Sequence, residues 1–207
     1  IIVSPFNHIL IKFLTYYAGG NVMLLKKELL ISEQTYEKHA TIYTDSECDP
    51  RACILYFHGG GLLYGRREDL PGLHLRTLTE AGYCIIAFDY PLSPAAKLDL
   101  ILEDVCASVN HYLDNSELYV KTELPYFLWG RSAGAYLCLL AAASGKCRNT
   151  PKGILSYYGY GFLCDGWFMA PSKYYCSLPA VSDSALSSIP SGIHAQGDLD
   201  THYSVYV

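Results

Sequence analysis

Charge is scarce in this 207-residue chain: 17% of its residues are charged, against 51% that are apolar. That balance excludes a disordered chain and leaves enough apolar residues for a real core. The formal net charge is -5, acids and bases are interleaved, and no basic run is present to follow a phosphate backbone. Nucleic acid is therefore excluded as a partner. The eight cysteines contain no C-x-x-C pair, so a zinc site has no spacing to support it and no metal is expected. Internal repeats and low-complexity tracts are absent. The longest apolar stretch near the start, Ile9 to Ala18, is interrupted by Lys12 and is too short to span a bilayer. No positively charged leader with a cleavage site is seen, and the first residue is Ile1 rather than Met. These features lead to the expectation of a trimmed piece of a longer protein.

What is present reads as one domain. Cys53 and Cys84 sit in strand-like apolar runs, Cys106 and Cys138 in helix-like ones. That placement argues against a disulfide framework and for buried free thiols in a reducing cytoplasm. Residues 1–37 read as a helical region broken at Gly19-Gly20. After them, strand and helix signals alternate. Strands are expected at His39–Thr44, Ala52–Phe57, Tyr83–Phe88, Tyr126–Trp129, Ile154–Tyr158 and Ile193–Gln196. Helices are expected at Leu73–Ala81, Leu98–Leu113 and Ser132–Ala143. In the second of these, Leu98, Ile101, Leu102, Val105, Val109 and Leu113 recur at three- and four-residue steps. Such alternation predicts an α/β fold: a mostly parallel sheet covered by helices on both faces. Ligands of such sheets bind beyond the carboxyl ends of the strands, which directs attention to the loops leaving Phe57, Phe88, Trp129, Tyr158 and Gln196.

Three of those loops carry motifs. Gly130-Arg131-Ser132-Ala133-Gly134 lies between a strand and a helix. A nucleophilic serine must stand proud of the sheet on a strained turn, and its neighbours two residues away must be nearly free of side chain. The helix that follows directs its free N–H groups at the same spot. Ser132 is the expected nucleophile. His58-Gly59-Gly60-Gly61 follows the strand ending at Phe57. Acyl transfer builds negative charge on the carbonyl oxygen, and glycines let backbone donors approach it. The N–H groups of Gly60, Gly61 and Ala133 are the expected oxyanion hole, and His58 is expected to brace the glycine loop. Asp89-Tyr90-Pro91-Leu92-Ser93-Pro94 reads as an ordered loop stiffened by its prolines, with no catalytic role.

HGGG, a DYxLxP-like turn and GxSAG, in this order, resemble hormone-sensitive-lipase-type carboxylesterases of the α/β-hydrolase superfamily, over residues 39–200. The sequence departs from that family at Arg131, where an acidic residue is usual, and at Pro91 and Ser93-Pro94-Ala95, where Arg and Ala-Pro-Glu are usual. The resemblance implies a serine hydrolase acting on small carboxylic esters through an acyl-enzyme, with no cofactor and a Ser–Asp–His triad in that chain order. It places the acid in the turn Gly197-Asp198-Leu199-Asp200, at Asp200, with Asp198 as the alternative. It places the histidine beyond one further strand, after which nothing here corresponds; the C-terminal strand and histidine loop are expected to be missing. His8, His39, His74, His111 and His194 do not suit the position, and His202 lies only two residues past Asp200.

A lid insertion is expected at 159–190. Tyr157, Tyr158, Tyr160, Phe162, Trp167, Phe168, Tyr174 and Tyr175 either line a substrate pocket there or simply pack the insertion on the core. Rival readings are a peptidase of the same fold and a non-catalytic ligand-binding relative. A homo-oligomer is compatible with the sequence.

Overall fold

Ala52–Phe57 is six apolar residues in a row, without the polar alternation of a half-solvated strand. Such a strand must be covered on both faces, and it lies in the interior of the sheet, between the strands Tyr83–Phe88 and Tyr126–Arg131. The computed structural model describes residues 2–3, 10–17, 23–161, 166 and 170–206, with side chains from Leu24 onward except that of residue 206. In chain order the strands are β1 (Ile2–Val3), β2 (Leu10–Tyr17), β3 (Met23–Ser32), β4 (Lys38–Asp45), β5 (Ala52–Phe57), β6 (Tyr83–Phe88), β7 (Tyr126–Arg131) and β8 (Ile154–Tyr157). The helices are α1 (Gly72–Glu80), α2 (Leu98–Asp114), α3 (Ser116–Tyr119), α4 (Ala133–Ala143), α5 (Ser184–Ser187) and α6 (Leu199–Tyr206).

One eight-stranded sheet runs β1-β2-β3-β4-β6-β5-β7-β8. From β6 to β8 the strands are parallel; from β1 to β4, and where β4 meets β6, they are antiparallel. Cys53, Leu55 and Phe57 join Cys84, Ile86 and Phe88 on one face, covered by Ile101, Val105 and Val109 of α2 and Leu137 and Ala141 of α4. Ile54, Tyr56, Ile85, Ala87 and Trp129 form the other face, with Leu75 and Leu78 of α1 against them. The expected α/β architecture, with helices on both faces, is therefore present. The chain crosses from β5 through α1 to β6 on one side, then through α2 to β7 on the other side of β5. That reversal opens a crevice at the carboxyl ends of β5 and β7. Among the described residues, no helix is long and apolar enough to cross a membrane.

Two expectations are corrected. The region 1–37 is not helical where it is described: β2 and β3 are strands paired to each other, and β3 pairs with β4 from Leu24↔Asp45 to Ser32↔Lys38. Leu24-Leu25-Lys26-Lys27-Glu28-Leu29-Leu30 is built of good helix formers. The ladder offered by β4, with Thr41, Ile42 and Thr44, overrides that propensity. The Gly19-Gly20 break lies outside the described residues. The second correction concerns Ile193–Gln196, which forms no strand. Its His194 carbonyl accepts from Leu92 N–H at 2.9 Å, and the neighbouring Gly197 makes a lone two-way bridge to Gly65. The segment's hydrogen bonds go to loops, so no ladder forms.

Candidate active site

The glycine loop and the serine turn leave adjacent strands, with Phe57 level with Gly130 in the ladder. Ser132 adopts φ 51 and ψ -119, a left-handed backbone that costs a non-glycine residue energy. Its N–H donates to the Tyr157 carbonyl at 2.8 Å, and its own carbonyl accepts from Tyr136 N–H at 3.1 Å, opening α4. The turn closes only because Gly130 and Gly134 lack side chains. A Cβ on Gly134 would lie 2.1 Å from the Phe57 carbonyl oxygen, and one on Gly130 would lie 2.2 Å from the Gly134 carbonyl. Ser132 is half-buried, and among the described residues its Oγ makes no hydrogen bond.

The glycine loop reaches the serine directly: a Cβ on Gly59 would sit 3.3 Å from Ser132 Cβ. Gly60, Gly61 and Leu62 follow with φ of 113, 60 and 67, and the Gly60 carbonyl is turned away to accept from Leu63 and Tyr64 N–H. Among the described residues the N–H groups of Gly60, Gly61 and Ala133 donate to nothing. Unengaged donors beside a half-buried serine are the raw material of an oxyanion site.

His58 and Tyr90 support that loop. His58 Nδ1–H donates to the Gly59 carbonyl at 2.7 Å. Tyr90 stacks on the imidazole with centroids 4.3 Å apart and donates from its hydroxyl to the His58 carbonyl at 2.9 Å. Burial pushes the His58 imidazole down to about 4, so it is neutral near pH 7. Asp89, the residue before Tyr90, is fixed in turn. Its carboxylate takes two hydrogen bonds from Arg67 Nη1, at 2.8 and 2.9 Å, and one from His39 N–H at 2.9 Å. Arg67 also donates from Nε to Thr41 Oγ1 at 2.8 Å and pairs with Glu28 at 2.8 Å and Glu68 at 3.1 Å. The turn read from sequence only as an ordered loop thus anchors the glycine loop to β3 and β4. Arg67 was not legible: its partners lie up to 39 residues away in sequence, and no local spacing marks it.

The acid turn meets the same loop. Gly65 and Gly197 exchange N–H···O bonds of 2.8 and 3.1 Å. Asp200 lies exposed in the first turn of α6, and among the described residues its carboxylate meets no partner. Asp198 is also exposed, with Arg66 Nη2 at 3.7 Å. Among the described residues no imidazole bonds to Ser132 or Asp200. His202 is buried; it donates from Nδ1 to the Asp198 carbonyl at 2.7 Å, and its Nε2 has no partner. His39 lies beside Asp89, His74 packs edge-on to Trp129, His111 bonds to Tyr119, and His194 bonds to the Gly192 carbonyl. His8 lies outside the described residues, as do Phe162, Trp167 and Phe168 of the expected lid. Tyr158, Tyr160, Tyr174 and Tyr175 are exposed rather than packed on the core.

A family model described as alpha/beta hydrolase fold matches residues 54–182. A protein of unknown function from Staphylococcus aureus subsp. aureus Mu50 is similar at 28% identity and TM-score 0.70, over 88% of this chain and 63% of that one. An alpha/beta hydrolase superfamily protein from Enterococcus faecalis is similar at 28% identity and TM-score 0.70, over 87% of this chain and 63% of that one. An esterase from Pyrobaculum calidifontis shares the fold at 23% identity and TM-score 0.56, over 65% of this chain and 44% of that one. This chain thus spans 63% of the length of the first two.

Proposed function

Because the chain belongs to the alpha/beta hydrolase fold family, we propose that it is a serine hydrolase cleaving small carboxylic esters through an acyl-enzyme. The observation that carries this reading is Ser132 at φ 51, beside the unengaged N–H groups of Gly60, Gly61 and Ala133. Ser132 Oγ attacks the acyl carbon as a histidine takes its proton. Gly60, Gly61 and Ala133 N–H hold the oxyanion. The alcohol leaves with the proton, and water then attacks the ester of Ser132 to release the acid. Asp200 keeps the histidine in its working tautomer; its place in the turn bridged to the glycine loop supports that role. The site needs no cofactor for this chemistry. The buried thiols of Cys53, Cys84, Cys106 and Cys138 suit a reducing cytoplasm.

The test compares short-chain nitrophenyl esters with aminoacyl anilides, on the full natural protein, catalytic histidine included, and on its Ser132→Ala variant. Ester turnover that is lost in Ser132→Ala supports the reading. Faster turnover of the anilides would make the protein a peptidase, and ester binding without turnover would make it a ligand-binding relative. Within an active protein, Asp200→Asn is expected to lower kcat by roughly 10⁴-fold and Asp198→Asn to matter far less. The reverse ranking would move the acid to Asp198.

A further inference from the structure

Arg131 stands immediately before Ser132 at the end of β7, and its charge is not neutralised by any described carboxylate. Its Nε donates to the Tyr158 hydroxyl at 2.8 Å, and its Nη1 donates to the Asp69 carbonyl at 2.8 Å. The Tyr56 phenol lies alongside and donates to the same carbonyl at 2.9 Å. Burial pushes that phenol up to about 12, so it is neutral near pH 7. A carbonyl and two phenols orient the guanidinium without cancelling its charge. The Asp69 carboxylate is turned toward Arg66, whose backbone N–H it accepts at 3.1 Å. Of the other five described arginines, four (Arg66, Arg67, Arg76 and Arg148) are paired with a carboxylate, and Arg51 lies over the Tyr83 ring.

The position of this cation gives it a use. The clamp joins three loops at the carboxyl ends of parallel strands: the one after β5 through Asp69, the serine turn itself, and the end of β8 through Tyr158. Tyr158 is 69% exposed and has φ 44. A left-handed tyrosine persists only where its surroundings hold it, and such strain gathers at functional sites. Two of the five N–H donors of Arg131 make hydrogen bonds of good geometry. The remainder of the fork can face an anion where substrates of this sheet class bind.

We propose that Arg131 is an anion-recognising residue, and that the esters cleaved here carry a carboxylate on their acyl or alcohol portion. The bond that is cleaved rests on the ester-hydrolase reading above; the recognition of the anion does not. Binding is therefore measured apart from turnover. In Ser132→Ala, calorimetry with monobutyl glutarate and with its neutral methyl butyl diester compares one ligand with and without its charge. The monoester is expected to bind about tenfold or more tightly. Adding Arg131→Gln should bring the two ligands within about twofold of each other, and Arg131→Lys should retain part of the preference. Equal affinity for the two ligands, failure of both to bind, or a preference that survives Arg131→Gln would overturn the proposal. Turnover of nitrophenyl hemiglutarate and nitrophenyl butyrate by the unmodified protein is read separately. If neither ester is cleaved while Arg131-dependent binding persists, the hydrolase reading falls and the anion site stands.

Discussion

His58 commits its Nδ1–H to the Gly59 carbonyl, and its buried ring is held neutral, with an ionisation pushed from 6.5 down to about 4. The unfolded chain therefore takes up a proton at a higher pH than the folded one. Stability carried by this residue is intact above about pH 6.5 and falls as pH drops toward 4, by about 3 kcal/mol in all. Urea unfolding at stepped pH values is expected to show this slope, and His58→Gln to flatten it. An unchanged slope in the variant would assign the loss to other groups. Glycine 134 offers a second test at this scale. Gly134→Ala places a methyl group 2.1 Å from the Phe57 carbonyl oxygen, a backbone atom that cannot step aside. A loss of about 3 kcal/mol is expected, read as a lowered Tm. Gly72→Ala, with nothing within 4 Å, should be neutral or slightly stabilising.

Between elements, the buried pair of Arg67 and Asp89 ties the loop after β6 to β3, β4 and the glycine loop. Removing one partner strands the other charge in the interior, so Asp89→Asn is expected to cost about 3 kcal/mol. Replacing both, as Arg67→Met with Asp89→Leu, should cost less than the sum of the single changes, measured by a double-mutant cycle in urea. Strict additivity would mean that the pair is not coupled. None of this was legible in the sequence, where Asp89-Tyr90 reads as a turn and Arg67 as one charge among several. Elements defined by uninterrupted apolar runs were legible: Ala52–Phe57 and Tyr83–Phe88 are expected and observed with the same bounds. The periodic helix at Leu98 is one residue longer than expected. Elements stabilised mainly by their neighbours were not. β3 is written in helix formers and becomes a strand because β4 lies beside it. Ile193–Gln196 looks like a strand and is none, because no ladder is offered to it.

At the scale of the whole molecule, the sheet brings together loops that are far apart in the chain. Gly59 meets Ser132, and Gly65 pairs with Gly197. The motifs around Ser132 were readable because the strained turn and the close backbone approach both demand glycine at fixed spacings. The proposed acid and its histidine partner are less so, since one aspartate or histidine carries no spacing of its own. The proposed hydrolysis depends above all on Ser132 being an activated nucleophile. Its most direct measurement is peptide mapping by mass spectrometry after the full natural protein, catalytic histidine included, is treated with a small fluorophosphonate. A single phosphonyl adduct is expected, on the peptide that contains Ser132, and none in Ser132→Ala. An unlabelled Ser132, or an adduct that persists in Ser132→Ala, would contradict it.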